Sequence, residues 1–152
     1  MNKLKYPVIV AFCFGLFAAG FGLNEYFKPH RDVKTAQVFD EFEVDDFIAE
    51  FLDTPKKAQE KYLSSNGESK IVAMTGTISA IETNLNNQLV IELKSSKHDA
   101  VARFTLLDEE KSKAEKLKVG DKTKLTGVVS AGAEFDKDFN RYMDAILEQA
   151  YF

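Results

Sequence analysis

Two stretches decide the fold: Met74-Thr75-Gly76-Thr77-Ile78-Ser79-Ala80 and Leu125-Thr126-Gly127-Val128-Val129-Ser130-Ala131. Both are β-rich, and both carry Thr-Gly at the same place. A mid-strand glycine normally weakens a strand, because it has no side chain to pack and the most backbone freedom to lose. Two at matching positions therefore point to a need. A small closed barrel has that need, since its strands must bend or bulge sharply at the corners.

Outward from these stretches, period-2 alternation continues through the C-terminal half. It predicts strands over Ile71–Ile81, Leu89–Lys94, Ala100–Leu107, Lys122–Ala131 and Arg141–Phe152, the last with Met143, Ala145 and Leu147 alternating. Turn residues separate them at Asn84–Asn87, Ser95–Asp99 and Gly120-Asp121. Only Asp108–Leu117, rich in Lys and Glu, reads as a short polar helix. Five strands with a helix between the third and fourth is the arrangement of an OB-type Greek-key barrel.

Upstream the period changes to 3.6. Within Phe39–Leu52, Val44, Phe47, Ile48, Phe51 and Leu52 fall on one helical face. Asp40, Glu41, Glu43, Asp45, Asp46 and Glu50 do not converge and read as a solvated surface. Thr54-Pro55 is a good cap and first-turn pair for a second helix to about Leu63, with Ala58, Tyr62 and Leu63 toward the core. Ser64–Glu68, containing Asn66-Gly67, ends it. The expected class is mainly β with flanking helices: a five-stranded barrel preceded by two short helices and one N-terminal transmembrane helix.

That last element rests on Pro7–Leu23, which holds no charged or strongly polar residue over 17 positions. This is the short end of what a helix needs to cross a bilayer. Tyr6, Tyr26 and Phe27 flank it at headgroup level, and Lys3 and Lys5 favour a cytoplasmic N-terminus. Three readings compete. A retained anchor needs no special residues, a cleaved signal would use Ala18 and Gly20 or Gly20 and Gly22, and a lipoprotein signal would end at Cys13. Phe12 directly before Cys13 argues against the third. All three put the domain outside the cytoplasm. The expected organisation is an anchor or signal segment over 1–27, a juxtamembrane linker over 28–40 and the barrel domain with its helical lead-in over 41–152.

Composition excludes several chemistries. The only cysteine, Cys13, lies in the apolar segment, so the domain has no disulfide, cysteine nucleophile or Cys-based metal site. Only His30 and His98 could serve a Ser-His-Asp triad or zinc, and neither has partners at telling spacing. Asp136-Lys137-Asp138-Phe139-Asn140 copies the start of a calcium loop, but Arg141 stands where glycine is required and Leu147 where a bidentate Glu is required. It reads as the turn joining the last two strands. Beyond Leu23 the chain carries 18 basic and 24 acidic side chains, a net of −6. Nucleic-acid binding draws on neutralised phosphates, so this balance opposes it.

The chain resembles the tRNA-anti-like family of OB-fold proteins, which are largely uncharacterised bacterial envelope proteins. The matching features are Ala58-Gln59-Glu60-Lys61-Tyr62-Leu63, the Thr75-Gly76-Thr77-Ile78-Ser79 strand, the Leu117-Lys118-Val119-Gly120-Asp121 turn into Leu125-Thr126-Gly127, and the juxtamembrane Lys28-Pro29-His30-Arg31-Asp32. Members often carry a cysteine in the last strand, and Glu148-Gln149-Ala150-Tyr151 has none. The family name points to an anticodon-binding OB domain, but fold analogy transfers no function.

OB domains bind ligands on the face of the second and third barrel strands. Its polar phase here is Glu92, Lys94, Arg103 and Thr105, and Lys94, Arg103 and Thr105 are the candidate ligand residues. Phe104 alternates out of phase and points inward. The expected protein is a non-enzymatic, cofactor-free, membrane-anchored binding module facing the periplasm or exterior and contacting an envelope partner. The alternative is a single-stranded nucleic-acid binder.

Overall fold

A computed structural model describes residues 32–64 and 68–152. The anchor expected at 1–27 and the Asn66-Gly67 break lie outside the described residues. No helix within them is long and apolar enough to cross a membrane. In chain order the elements are β1 (Asp40–Glu43), α1 (Val44–Asp53), α2 (Pro55–Tyr62), β2 (Ile71–Thr83), β3 (Leu89–Lys94) and β4 (Val101–Leu106). A 3-10 turn (Asp108–Glu110) then runs into α3 (Lys111–Ala114), followed by β5 (Lys122–Ala131), β6 (Glu134–Asp136), β7 (Arg141–Met143) and β8 (Ala145–Tyr151).

Strands β2, β3, β4, β8 and β5 follow one another around the sheet, and β5 pairs back onto β2 to close a five-stranded barrel. The β4–β8 pair is parallel and the other barrel pairs are antiparallel. Within the barrel, strand β2 serves two partners, β5 over Ile71–Thr77 and β3 over Thr77–Thr83, and Thr77 pairs with both. Gly76 sits just before that changeover. A Cβ there would lie 3.0 Å from Val44 Cγ1 and 3.1 Å from Leu93 Cβ, so its smallness lets α1 and β3 close on the strand. Gly127 lies at a register break against β8, where a Cβ would be 3.2 Å from Leu147 Cβ. The two Thr-Gly pairs thus solve different problems, a close approach and a bulge.

The lead-in differs from expectation. Residues Asp40–Glu43 are not helical. They form β1, parallel to Val72–Thr75, on the edge of β2 that β3 occupies further along. The apolar 3.6 period starts only at Val44, and so does the helix. Phe42 anchors β1 by packing its ring 5.7 Å from that of Phe47 and 6.0 Å from that of Tyr62. Val44, Phe47, Ile48 and Phe51 are buried as expected, as are Ala58 and Tyr62. Thr54 does not cap α2 with its side chain; its hydroxyl donates to the Glu50 carbonyl at 3.1 Å, while Pro55 keeps its first-turn place.

The linker expected over 28–40 is packed from Val33 onward, so the compact unit begins there and not at residue 41. Val33 is buried and its carbonyl accepts from Tyr151 Oη at 3.3 Å. Lys34 pairs with Glu109 and with the buried Glu110, and the Phe39 amide donates to the Ile71 carbonyl at 2.7 Å. No periodicity marks these contacts, because each depends on a distant residue.

The last predicted strand is broken at Asp144. Its first part pairs with β6 as a small hairpin, so Met143 is 43% exposed and does not alternate inward with Ala145 and Leu147. The Asp136–Asn140 turn is the tip of that hairpin, with Asp136 Oδ1 accepting from the amides of Asp138 (2.9 Å) and Phe139 (3.2 Å).

Two of the acidic residues expected to be solvated hold the fold together. Glu50 accepts from Lys61 Nζ at 2.8 Å and from Tyr62 Oη at 2.6 Å. Asp45, at the start of α1, accepts from the hydroxyls of Ser95 and Ser96 and from the Ser96 amide, tying the β3–β4 loop to the helix. Burial works against the Asp45 charge, yet these donors outweigh it and hold the carboxyl down at about 2, against an ordinary 3.8. A depressed carboxyl adds stability above its unfolded value and loses it as pH falls through the folded one. Asp45→Ala should therefore cost about 2 kcal/mol at pH 7. It should also remove part of the wild-type loss of stability between pH 4 and 2, as urea denaturation across that range would show.

Candidate ligand-binding face

The outer face of β3 and β4 exists because Ile91, Leu93, Ala102, Phe104 and Leu106 point into the barrel, each essentially fully buried. Alternation then turns Glu92, Lys94, Arg103 and Thr105 outward. The register sets Glu92 directly opposite Arg103, Lys94 opposite Val101 and Thr105 opposite Val90.

Arg103 is enclosed by carboxylates. Its Nε lies 3.4 Å from Glu92 Oε1, and its two amino groups lie 3.8 Å from Glu82 Oε2 and 3.9 Å from Asp144 Oδ2. Three anions around one cation leave the centre of the face net negative. Burial pushes the Glu92 carboxyl above its usual range; Glu82 and Asp144 push the same way and Arg103 opposes them. The guanidinium is thus occupied by the protein itself. The three candidate residues do not converge. Lys94 is exposed at the end of β3, Arg103 sits in its acidic cage, and Thr105 lines a separate cleft.

Arg103→Ala should leave Glu92 beside two like charges with no cation. A carboxyl raised further in the folded state destabilises while ionised, and that penalty fades as pH falls. The expected loss is about 1 kcal/mol at pH 7, shrinking as the pH is lowered toward the carboxylate range. Thermal melts of wild type and variant at both ends of that range would check it.

Each end of the face carries a further feature. At one end the β6–β7 hairpin exposes Phe135 (39%), Phe139 (73%) and Met143 (43%), with Ile146 (40%) beside it on β8. Tyr142 packs 5.0 Å from Phe135 and 5.9 Å from His98, and the Arg141 guanidinium lies 5.4 Å over the Phe139 ring. A hollow of about 580 Å³ lies against this hairpin, lined by Phe135 and Met143 together with Glu134, Asp136, Lys137 and Asp138. At the other end a polar cleft of about 400 Å³ lies between the Asn84–Gln88 turn, Thr105 and the Glu148-Gln149 bulge. Sequence reasoning missed both. The signal for the hairpin was Phe135 and Phe139 flanking a charged run, where neither ring could follow a strand period into the core. Among the described residues no three His, Cys, Asp or Glu side chains are grouped to hold a metal ion.

The closed five-stranded barrel defines a fold of OB type. The chain belongs to the tRNA_anti-like family, whose sequence model matches residues 1–138. The match takes in the N-terminal apolar segment and stops in the β6–β7 turn, before β8. Among solved structures it is similar to a lipoprotein from Klebsiella pneumoniae subsp. pneumoniae MGH 78578 whose name suggests nucleic-acid binding. The two are 21% identical, with 82% of this chain and 98% of that one covered and a TM-score of 0.53, a likeness of fold. No curated protein matches the sequence.

Proposed function

We propose that this chain is a non-enzymatic binding module of the bacterial envelope, held at the membrane by its N-terminal apolar segment. Its barrel face, and the β6–β7 hairpin above all, docks a protein or other envelope component. The observation that carries this reading is the pairing of an exposed apolar cluster with an acidic centre. Phe135, Phe139, Met143 and Ile146 offer area to bury, while Glu82, Glu92 and Asp144 surround the cation that a phosphate would need. Exposed aromatic and Met side chains are what protein interfaces concentrate. Export follows from the apolar segment, and protease accessibility in intact cells together with N-terminal sequencing tests compartment and processing at once.

A single-stranded nucleic-acid binder is the second reading. It is favoured by the name of the Klebsiella relative and by Arg141 stacked on the exposed Phe139, since aromatics interleaved with cations suit unpaired bases. Carboxylates at Glu134, Asp136, Asp138 and Asp144 oppose it along the same hairpin. Titrating the full chain with a labelled single-stranded oligonucleotide at low salt separates the two. The docking reading expects no saturable binding. A tight complex that weakens steeply with salt and is lost in Phe139→Ala/Arg141→Ala would establish the second reading instead.

A further inference from the structure

The hairpin leaves the cleft at the opposite end of the face unexplained, and that cleft is built in an unusual way. Its polar lining comes chiefly from side-chain amides: Asn86 and Gln88 on the β2–β3 turn and Gln149 on β8, with the hydroxyl of Thr105 between them. Asp108 and Glu148 add carboxylates at its margin. Lys111, which reaches Asp108 in the lining, is committed to that carboxylate at 3.0 Å and to the Asn87 carbonyl at 3.1 Å. The lining therefore offers amide and hydroxyl groups that both donate and accept, with no cation among them.

The turn is set in advance of any ligand. Asn84 Oδ1 accepts from the amides of Asn86 (2.9 Å) and Gln88 (3.0 Å), and Asn84 Nδ2 donates to Gln88 Oε1 at 3.2 Å. The Lys111 bond fixes the far side of the same turn. Across the cleft Gln149 has φ +52, in the left-handed region, where a bulge breaks the register of β8 against β5. A non-glycine residue there costs about 1 kcal/mol, and such strain is concentrated at functional sites. A glycine at this bulge would avoid that cost, but it would remove the amide from the cleft.

We propose that this cleft binds an uncharged glycan segment. Sugar hydroxyls both donate and accept, as amides do, and make no demand for a cation. A phosphate or other anion would meet Asp108 and Glu148 instead. A peptide adding as a strand finds no edge, because β4 is paired on both sides by β3 and β8. The volume of about 400 Å³ falls within the range of small-ligand sites. The inference is independent of what the hairpin binds.

The test uses the full chain in a sugar-free zwitterionic detergent, followed by amide NMR. Chitotetraose and maltotetraose serve as neutral glycans, and octathymidylate as the anionic comparison. Saturable shifts at Asn86, Gln88 and Gln149 with at least one glycan are expected, with Kd on the order of 1 mM or tighter. Gln149→Gly should weaken binding about tenfold while the melting temperature holds or rises, since glycine accepts the left-handed backbone. Asn86→Ala, on an exposed turn, should weaken binding at unchanged stability. The proposal fails if neither glycan gives saturable shifts at these residues, if octathymidylate perturbs them more strongly, or if both variants bind as wild type.

Discussion

Tyr62→Ala is expected to cost about 4 kcal/mol, a large share of the stability of a domain this size. Tyr62 is the hub on which the lead-in is built. Its ring lies between 5.2 and 6.0 Å from those of Phe39, Phe42, Phe47 and Phe51, and its side chain is fully buried. Removing the ring leaves a cavity bounded by four aromatics drawn from β1, α1 and the segment before them, none of which can collapse without dragging its own backbone. The hydroxyl contributes separately. Burial, with Glu50 next, pushes its pKa up to about 12, so it stays protonated and donates to Glu50 throughout the physiological range. Tyr62→Phe should therefore cost only about 1 kcal/mol. Urea denaturation of the two variants separates packing from hydrogen bonding. Near-equal losses would show that the ring cluster does not hold the lead-in.

Gly132→Ala is expected to cost about 2–3 kcal/mol. A Cβ on Gly132 would sit 1.9 Å from Cδ1 and 2.0 Å from Cε1 of the Phe51 ring, far inside van der Waals contact. Phe51 cannot swing away freely, because it is 1% exposed and stacked at 5.5 Å on Tyr62 and tilted at 5.1 Å on Phe47. The chain leaving β5 must thus pass directly over α1. Gly132 and Phe51 form one contact between the barrel and its lead-in, so Gly132→Ala/Phe51→Leu should recover part of the loss. Thermal melts of the single and double variants measure that coupling, and a Gly132→Ala melt equal to wild type would contradict the packing described.

The barrel was legible because alternation is a local signal that burial enforces. The strand Leu89–Lys94 and the strand Lys122–Ala131 have their expected ends, and Phe104 points inward as its phase requires. What escaped notice depends on distant partners. Asp40–Glu43 became a strand because β2 had a free edge beside it, and nothing within those four residues announces that edge. Asp45 reads as one more surface carboxylate until folding brings Ser95 and Ser96 to it. Arg103 reads as a cation for an acidic ligand group or as a partner of Glu92, and nothing local shows that Glu82 and Asp144 also close around it. The polar phase of the face was thus visible in the sequence, while its net sign and the two features at its ends were not.

That face carries the functional claim, and photo-crosslinking in living cells tests it most directly. A photoreactive phenylalanine would replace Phe139 or Ile146 on the face, with Lys124 on β5, the barrel strand two steps from both β3 and β4, as the control. The account predicts a discrete adduct from Phe139 and Ile146 that resists nuclease, and none from Lys124. Adducts that nuclease removes, or equal adducts from all three positions, would contradict it.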